Sequence, residues 1–233
     1  MPGREVDAEM TPWARIPIAE RRLTTFDVRK GCSRMEPGQL RKYAFTVPSI
    51  KEAAAFIPIV DSLGEAAVVV TKRPSTMEFH KDDWVFPGGR VEAARDRQPL
   101  DTALRELDEE LGIPRRAVEP LGHLATYGPL ATGFLLHVYV GIISAPEQLV
   151  PDNREVAETV TVRLSEFMKK GAYFTGSVIA GHDPGPLSPG AVGADSTKGG
   201  RLRFFALREN EYLWGLQAEI LWDLLSLLLK ELR

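Results

Sequence analysis

Apolar residues recur at two different periods along the chain, and the alternation between them predicts a mixed α/β protein. The runs AAFIPIV and EAAVVVTKR flank Asp61-Ser62-Leu63-Gly64, so residues 54–72 read as a β-hairpin. Leu100, Ala103, Leu104, Leu107 and Leu111 fall within about 100° of helical arc, which predicts a helix with one apolar stripe. Gly112 suits the position just past that helix and Pro114 prevents its continuation. A short strand follows near 122–126. A longer one, 134–143, is apolar almost throughout and is expected to be buried on both faces. Residues 159–164 read as a strand with an acidic approach, residues 165–168 begin a short helix, and 201–207 read as a further strand.

The ends of the chain carry weaker patterns. Residues 1–50, with five prolines and scattered basic side chains, are expected to form an irregular arm, with one candidate strand at 43–47. Their basic cluster reads as a solvated face in preference to a phosphate contact. Residues 51–233 are expected to form one domain that includes a Gly/Pro-rich loop at 175–200 and a helix at 211–232. That last helix is apolar over so much of its surface that it is expected to be deeply packed or shared with a second copy in a homodimer.

Composition narrows the class. A hydrophobic content of 44% and a charged content of 26% are ordinary for a globular protein. The net charge of −3 gives no electrostatic footprint for nucleic acid, although a nucleotide remains an acceptable ligand. The single cysteine, Cys32, excludes an intrachain disulfide and fits a cytoplasmic location. The N-terminal residues lack the apolar core of a signal peptide, and the longest apolar stretch, near 224–229, is far short of a membrane span. His137 lies in the most apolar strand and reads as a core residue, and His123 and His182 have no partners at zinc spacing. Trp84, beside a Gly-Gly turn, is a candidate for base stacking as well as for core packing.

The chemistry concentrates in residues 86–113. Beside the apolar stripe of the predicted helix, Glu106, Glu109 and Glu110 occupy positions i, i+3 and i+4 on one face, where like charges repel. They lie in the last turns, where the helix dipole also disfavours negative charge. The turn Phe86-Pro87-Gly88-Gly89 precedes them, and a glycine carbonyl there can approach closely. An all-oxygen set of this kind suits Mg²⁺ or Mn²⁺ better than a solvated face does.

Gly89 together with Arg105-Glu106-Leu107-Asp108-Glu109-Glu110-Leu111-Gly112-Ile113 resembles the signature of the Nudix hydrolases. The interval from Gly89 to Arg105 is two residues longer than that signature has, and the intermediate Glu is absent, with Glu92 and Asp96 as candidate substitutes. The resemblance implies an α/β/α sandwich on a mixed sheet and Mg²⁺- or Mn²⁺-dependent hydrolysis of a nucleoside diphosphate derivative. It implies Glu106, Glu109, Glu110 and a Gly88 or Gly89 carbonyl as ligands, with Arg105 bracing a carboxylate. Glu106 is one candidate general base; Glu155 and Glu158, before the 159–164 strand, are others.

Thr71-Lys72-Arg73, His80 and Phe86-Pro87-Gly88-Gly89 match in their intervals the element that precedes the signature in Nudix enzymes splitting coenzyme A and its thioesters. Tyr212-Leu213-Trp214-Gly215-Leu216-Gln217-Ala218 also resembles a segment of that branch. Arg73, His80, Phe86, Gly88 and Gly89 are therefore candidate substrate contacts, with Arg73 reaching a phosphate. Glu78 stands where that branch favours a basic residue. The alternatives are an ADP-ribose or dinucleotide pyrophosphatase, or a non-catalytic ligand-binding protein on the same fold.

Overall fold

The computed structural model describes residues 11–36, 38–43, 46–76, 81–144, 149–176 and 202–231. One mixed sheet dominates it. Strands β1 (Leu40–Lys42), β2 (Lys51–Ser62), β3 (Glu65–Lys72) and β4 (Trp84–Val85) combine with β6 (Val118–Gly128) and β7 (Phe134–Ile143) in the order β1-β6-β7-β2-β3-β4. Strand β5 (Gly88–Arg90) pairs with β2, and β8 (Glu158–Arg163) pairs with β3. The β1–β6 and β2–β7 pairs are parallel, and the others are antiparallel. A second sheet holds β9 (Tyr173–Gly176), β10 (Leu202–Arg208) and β11 (Glu211–Trp214).

Helices cover both faces. α2 (Pro99–Leu111) packs Ala103, Leu104, Leu107 and Leu111 against Ala54, Phe56, Ala67 and Val69. On the opposite face α1 (Thr25–Cys32) and α3 (Leu216–Leu228) lie over Ile57, Ile59, Val68 and Val70. Alternate residues of β2 and β3 therefore feed two separate cores, and the near-continuous apolar runs of the predicted hairpin follow from burial on both faces. This is the α/β/α sandwich on a mixed sheet that the sequence predicts.

Differences from the expected elements cluster at the ends. Residues 11–36 pack into the main core instead of extending as an arm. Trp13, Ile16, Leu23, Val28 and Cys32 are all buried, and Thr24 caps α1 with Asp27. Burial pushes the Cys32 thiol up to about 12, so it packs as an inert apolar group. The strand beside this region is at 40–42; of the expected 43–47, residues 44–45 lie outside the described residues.

The expected helix at 211–232 begins later, because Asn210 takes a φ of 60° and closes a hairpin between β10 and β11. Leu213 fits the helical stripe by coincidence: it points into the core from a strand, while Tyr212 and Trp214 face Phe204 on the other side. Gly215, at φ 58°, then turns the chain into α3. Ala218, Ile220, Leu221, Leu224, Leu225 and Leu228 of α3 are buried within this chain, and Leu216, Trp222 and Leu227 are partly buried. Residues 175–176 belong to β9, and the rest of the expected loop lies outside the described residues. No helix among the described residues is long and apolar enough to cross a membrane.

Trp13 contacts the rings of Tyr173, Phe205 and Trp222 at centroid separations of 5.8, 6.1 and 5.4 Å. Trp13→Ala should therefore cost about 3–5 kcal/mol, measured by urea unfolding. A change near zero would return residues 11–24 to the status of an appendage.

Candidate active site

Two local helix ends and one tertiary contact build the site. Pro99 starts α2, and Asp101 accepts hydrogen bonds from the Arg97 and Gln98 N–H groups. Gly112 ends the helix at φ 67° with its N–H on the Asp108 carbonyl. The chain beyond β7 then returns to the end of α2. Val150 N–H donates to the Leu111 carbonyl at 2.9 Å and Asp152 N–H to the Glu110 carbonyl at 3.0 Å. That return brings Glu155 to the helix, and carboxylate oxygens of Glu106, Glu110 and Glu155 lie within 4.8 Å of one another.

The glycine turn closes against this cluster. A Cβ at Gly89 would collide with the Glu106 carboxylate, and one at Gly88 with the Ala54 carbonyl of β2. Both positions require glycine for this approach. The Gly88 backbone N–H also assists the Glu110 carboxylate. Phe86 is buried, and its N–H donates to Gln217 Oε1 at 3.1 Å, which ties the turn to the first turn of α3.

Arg105 organises the carboxylates from the side. Its guanidinium donates to both Asp96 oxygens at 3.2 and 3.1 Å, to Glu106 at 2.8 Å, to Glu109 at 2.7 Å and to the Arg90 carbonyl at 3.2 Å. Burial alone would raise the Asp96 carboxyl, but hydrogen bonds from Arg105, Thr102 and the Glu92 N–H hold it down to about 2. Between the two candidate substitutes for the intermediate acid, Asp96 is the one that grips Arg105; Glu92 is exposed and lies 3.6 Å from Arg95. Burial of Glu109 is outweighed by hydrogen bonds from Arg95 and Arg105, which lower its carboxyl.

The other two helix carboxylates shift the opposite way. Burial raises Glu106 despite its contact with Arg105. Burial, Glu106 and Glu155 together push Glu110 up to about 8, and Glu110 Oε2 is buried without a hydrogen-bond partner. Three oxygen donors, one of them orphaned, at a spot that repels further negative charge fit a hard dication. Glu106, Glu110 and Glu155 would hold it, beside the Gly88-Gly89 turn.

The sequence-derived candidates separate accordingly. Glu106 and Glu110 enter the cluster, whereas Glu109 turns aside to Arg95 and Arg105. Glu158 lies on β8 and pairs with Arg208 at 2.5 Å, so Glu155 and not Glu158 is the distal acid at the cluster. Arg73 lines the same cleft, and its buried Nε has no hydrogen-bond partner. His80 lies outside the described residues, as does Glu78. Trp84 is 3% exposed beneath Lys72 and Arg208, so packing, not base stacking, is its role here. His137 is part-buried, with Nδ1 3.0 Å from the Thr126 hydroxyl and Nε2 lacking a hydrogen-bond partner, so it is a half-satisfied residue of the sheet face.

The cleft measures about 890 Å³. Glu106, Glu110, Glu155 and Arg73 line it together with the apolar Leu130, Phe134, Leu136 and Leu216. Trp214 also borders it, with its indole N–H on Asp83 at 3.1 Å. The positions Trp214 to Gln217 were visible in the sequence only through a resemblance, since their place in the cleft depends on the β11–α3 turn.

A glycine turn packed on a helix that presents braced carboxylates to a nucleotide-sized cleft defines a metal-assisted hydrolase of phosphoanhydrides. The NUDIX domain model matches residues 50–180, and the chain belongs to the Nudix family. Over 75% of its length it is 30% identical to an uncharacterized Nudix hydrolase NudL of Photorhabdus laumondii, covering 83% of that protein. It is 34% identical over 50% of its length to Nudix hydrolase 3 of Caenorhabditis elegans, spanning about half (49%) of that longer relative. A MutT/nudix family protein of known structure from Enterococcus faecalis aligns over 94% of this chain and 73% of its own, at 15% identity and a TM-score of 0.49. The chain is thus a Nudix pyrophosphohydrolase acting on nucleoside diphosphate derivatives.

Removing Arg105 would leave Asp96, 2% exposed at its side chain, with its main counter-charge gone. Arg105→Met should destabilise the protein by about 3 kcal/mol in urea unfolding; a loss below about 0.5 kcal/mol would contradict the bracing role. Glu155→Gln should lower metal-dependent turnover by at least about 100-fold, while Glu158→Gln should leave it within about threefold. The reverse ranking in steady-state assays would put the distal acid on β8.

Proposed function

We propose that the chain hydrolyses the diphosphate bond of coenzyme A or an acyl-coenzyme A, giving 3′,5′-ADP and a phosphopantetheine species. The observation that supports this reading is the composition of the cleft. Carboxylates and Arg73 in its lining suit a diphosphate, and Leu130, Leu136 and Leu216 in the same lining suit a pantetheine or acyl arm. The matching intervals around Arg73 and Phe86, and the place of Trp214–Gln217 on the cleft wall, support the same ligand.

Each group has a role in that reaction. Water attacks one phosphorus, the bond from that phosphorus to the bridging oxygen breaks, and the leaving phosphate departs with the bridging oxygen. In this reading Glu155, the exposed member of the cluster, takes the proton released by the attacking water. Arg73 neutralises charge on the phosphates and orients them. Arg105 acts through Glu106, holding its carboxylate toward the glycine turn. Glu106, Glu110 and Glu155 would hold Mg²⁺ or Mn²⁺, which would supply charge neutralisation and lower the pKa of a bound water.

A turnover screen of coenzyme A, acyl-coenzyme A, ADP-ribose and NADH with Mg²⁺ and Mn²⁺ tests the substrate. Coenzyme A or its thioester should be cleaved fastest, with 3′,5′-ADP as the nucleotide product. Cleavage of ADP-ribose or NADH with coenzyme A untouched would overturn the assignment, and no turnover of any would favour a binding protein. Arg73→Ala should raise the KM for the preferred substrate by about tenfold with less effect on kcat; an unchanged KM would remove Arg73 from the substrate site.

A further inference from the structure

Lys51 and Arg90 line the same cleft as the residues assigned to the diphosphate. Arg90 ends β5 directly opposite Ala53 of β2, so the two side chains share a face of the sheet. Lys51 lies two residues before Ala53 in β2 and so points to that face as well. Phe134, the partner of Lys51 across the β2–β7 pair, completes the group. The Arg90 guanidinium lies 5.4 Å from the centre of the Phe134 ring, and all three residues line the cleft.

The backbone under this pair is firmly held. Arg105 donates to the Arg90 carbonyl at 3.2 Å, and the next residue, Val91, donates its N–H to the Glu52 carbonyl at 3.0 Å. Among the described residues neither Lys51 nor Arg90 has an ion-pair partner. Most other arginines near the site are committed: Arg105 to Asp96, Glu106 and Glu109, Arg95 to Glu92 and Glu109, Arg208 to Glu158 and Glu211. A guanidinium over a phenyl ring and without a carboxylate partner keeps N–H groups available for a planar or tetrahedral oxyanion, and an ammonium on the same face adds a point charge.

The order along the cleft gives the pair a meaning. Arg73 acts electrostatically on Glu110, Glu106 abuts Gly89, and Arg90 follows Gly89 in the chain. Arg90 therefore borders the carboxylate cluster next to the glycine turn. We propose that Lys51 and Arg90 form a second anion subsite, which takes a phosphate monoester carried by the nucleotide apart from its scissile diphosphate. The proposal rests on the reading of the carboxylate cluster as the diphosphate end, and it selects nucleotides with a third phosphate over those without one.

Equilibrium binding of 3′,5′-ADP and of 5′-ADP, measured by calorimetry with Mg²⁺ present, tests the subsite without requiring turnover. The native protein should bind 3′,5′-ADP about tenfold more tightly or better, and Lys51→Gln with Arg90→Gln should bring the two affinities together. The KM ratio between dephospho-coenzyme A and coenzyme A should collapse in the same variant, while a thermal melt confirms its fold. Equal affinities in the native protein, or a preference that survives the double substitution, would overturn the subsite. A preference for 3′,5′-ADP in the native protein that the double substitution removes, with no cleavage of either coenzyme, would count against the reaction proposed above and support the subsite.

Discussion

One guanidinium holds the site together. Arg105 is 13% exposed at its side chain and donates to three carboxylates and a backbone carbonyl. Each of those partners belongs to a different part of the site: Asp96 to the loop before α2, Glu106 to the cluster, Glu109 to the outer face of the helix, Arg90 to the end of the glycine turn. Buried charges of this kind are stable only when the whole set is satisfied, so the network resists partial rearrangement. The geometry on the other side of α2 is set by packing, with Leu107 and Leu111 fully buried against the sheet. Stripe and bracket together fix the rotation of the helix, and that rotation decides which carboxylates converge.

The electrostatic consequence is a division among three glutamates on one helical face. Glu109 has two arginine partners and is lowered, while burial raises Glu106 and Glu110. Adding Glu155 to the raised pair produces a locus where negative charge is in excess and one buried oxygen has no donor. A dication would relieve both conditions at once. The same helix therefore carries both a bracing acid and binding acids, distinguished only by which cations the surrounding loops deliver.

Much of this was legible before any coordinates. The helix and its cap followed from periodicity, Gly112 and Pro114, because those signals are local. Glu106 and Glu110 followed from their spacing on one face. Glu109 shares that spacing and differs only through Arg95, which a longer loop brings back to it over 14 residues. The choice between Asp96 and Glu92 was likewise open in the sequence, since it depends on how the loop folds over Thr102 and Arg105. Glu155 and Glu158 looked alike as acids before a strand; the hydrogen bonds of residues 150 and 152 to the end of α2 separate them. At the ends, Trp13 and Leu213 were misread because isolated apolar residues among prolines, or at a coincidental helical spacing, give no local sign of a tertiary partner.

The central claim is that Glu106, Glu110 and Glu155 converge on a dication beside the glycine turn. Anomalous diffraction from crystals soaked in Mn²⁺ tests it most directly. A peak bounded by these three carboxylates and next to Gly88 or Gly89 is the predicted result. Ordered protein with no anomalous peak there, or a peak held instead by Glu109 or Glu158, would contradict the account.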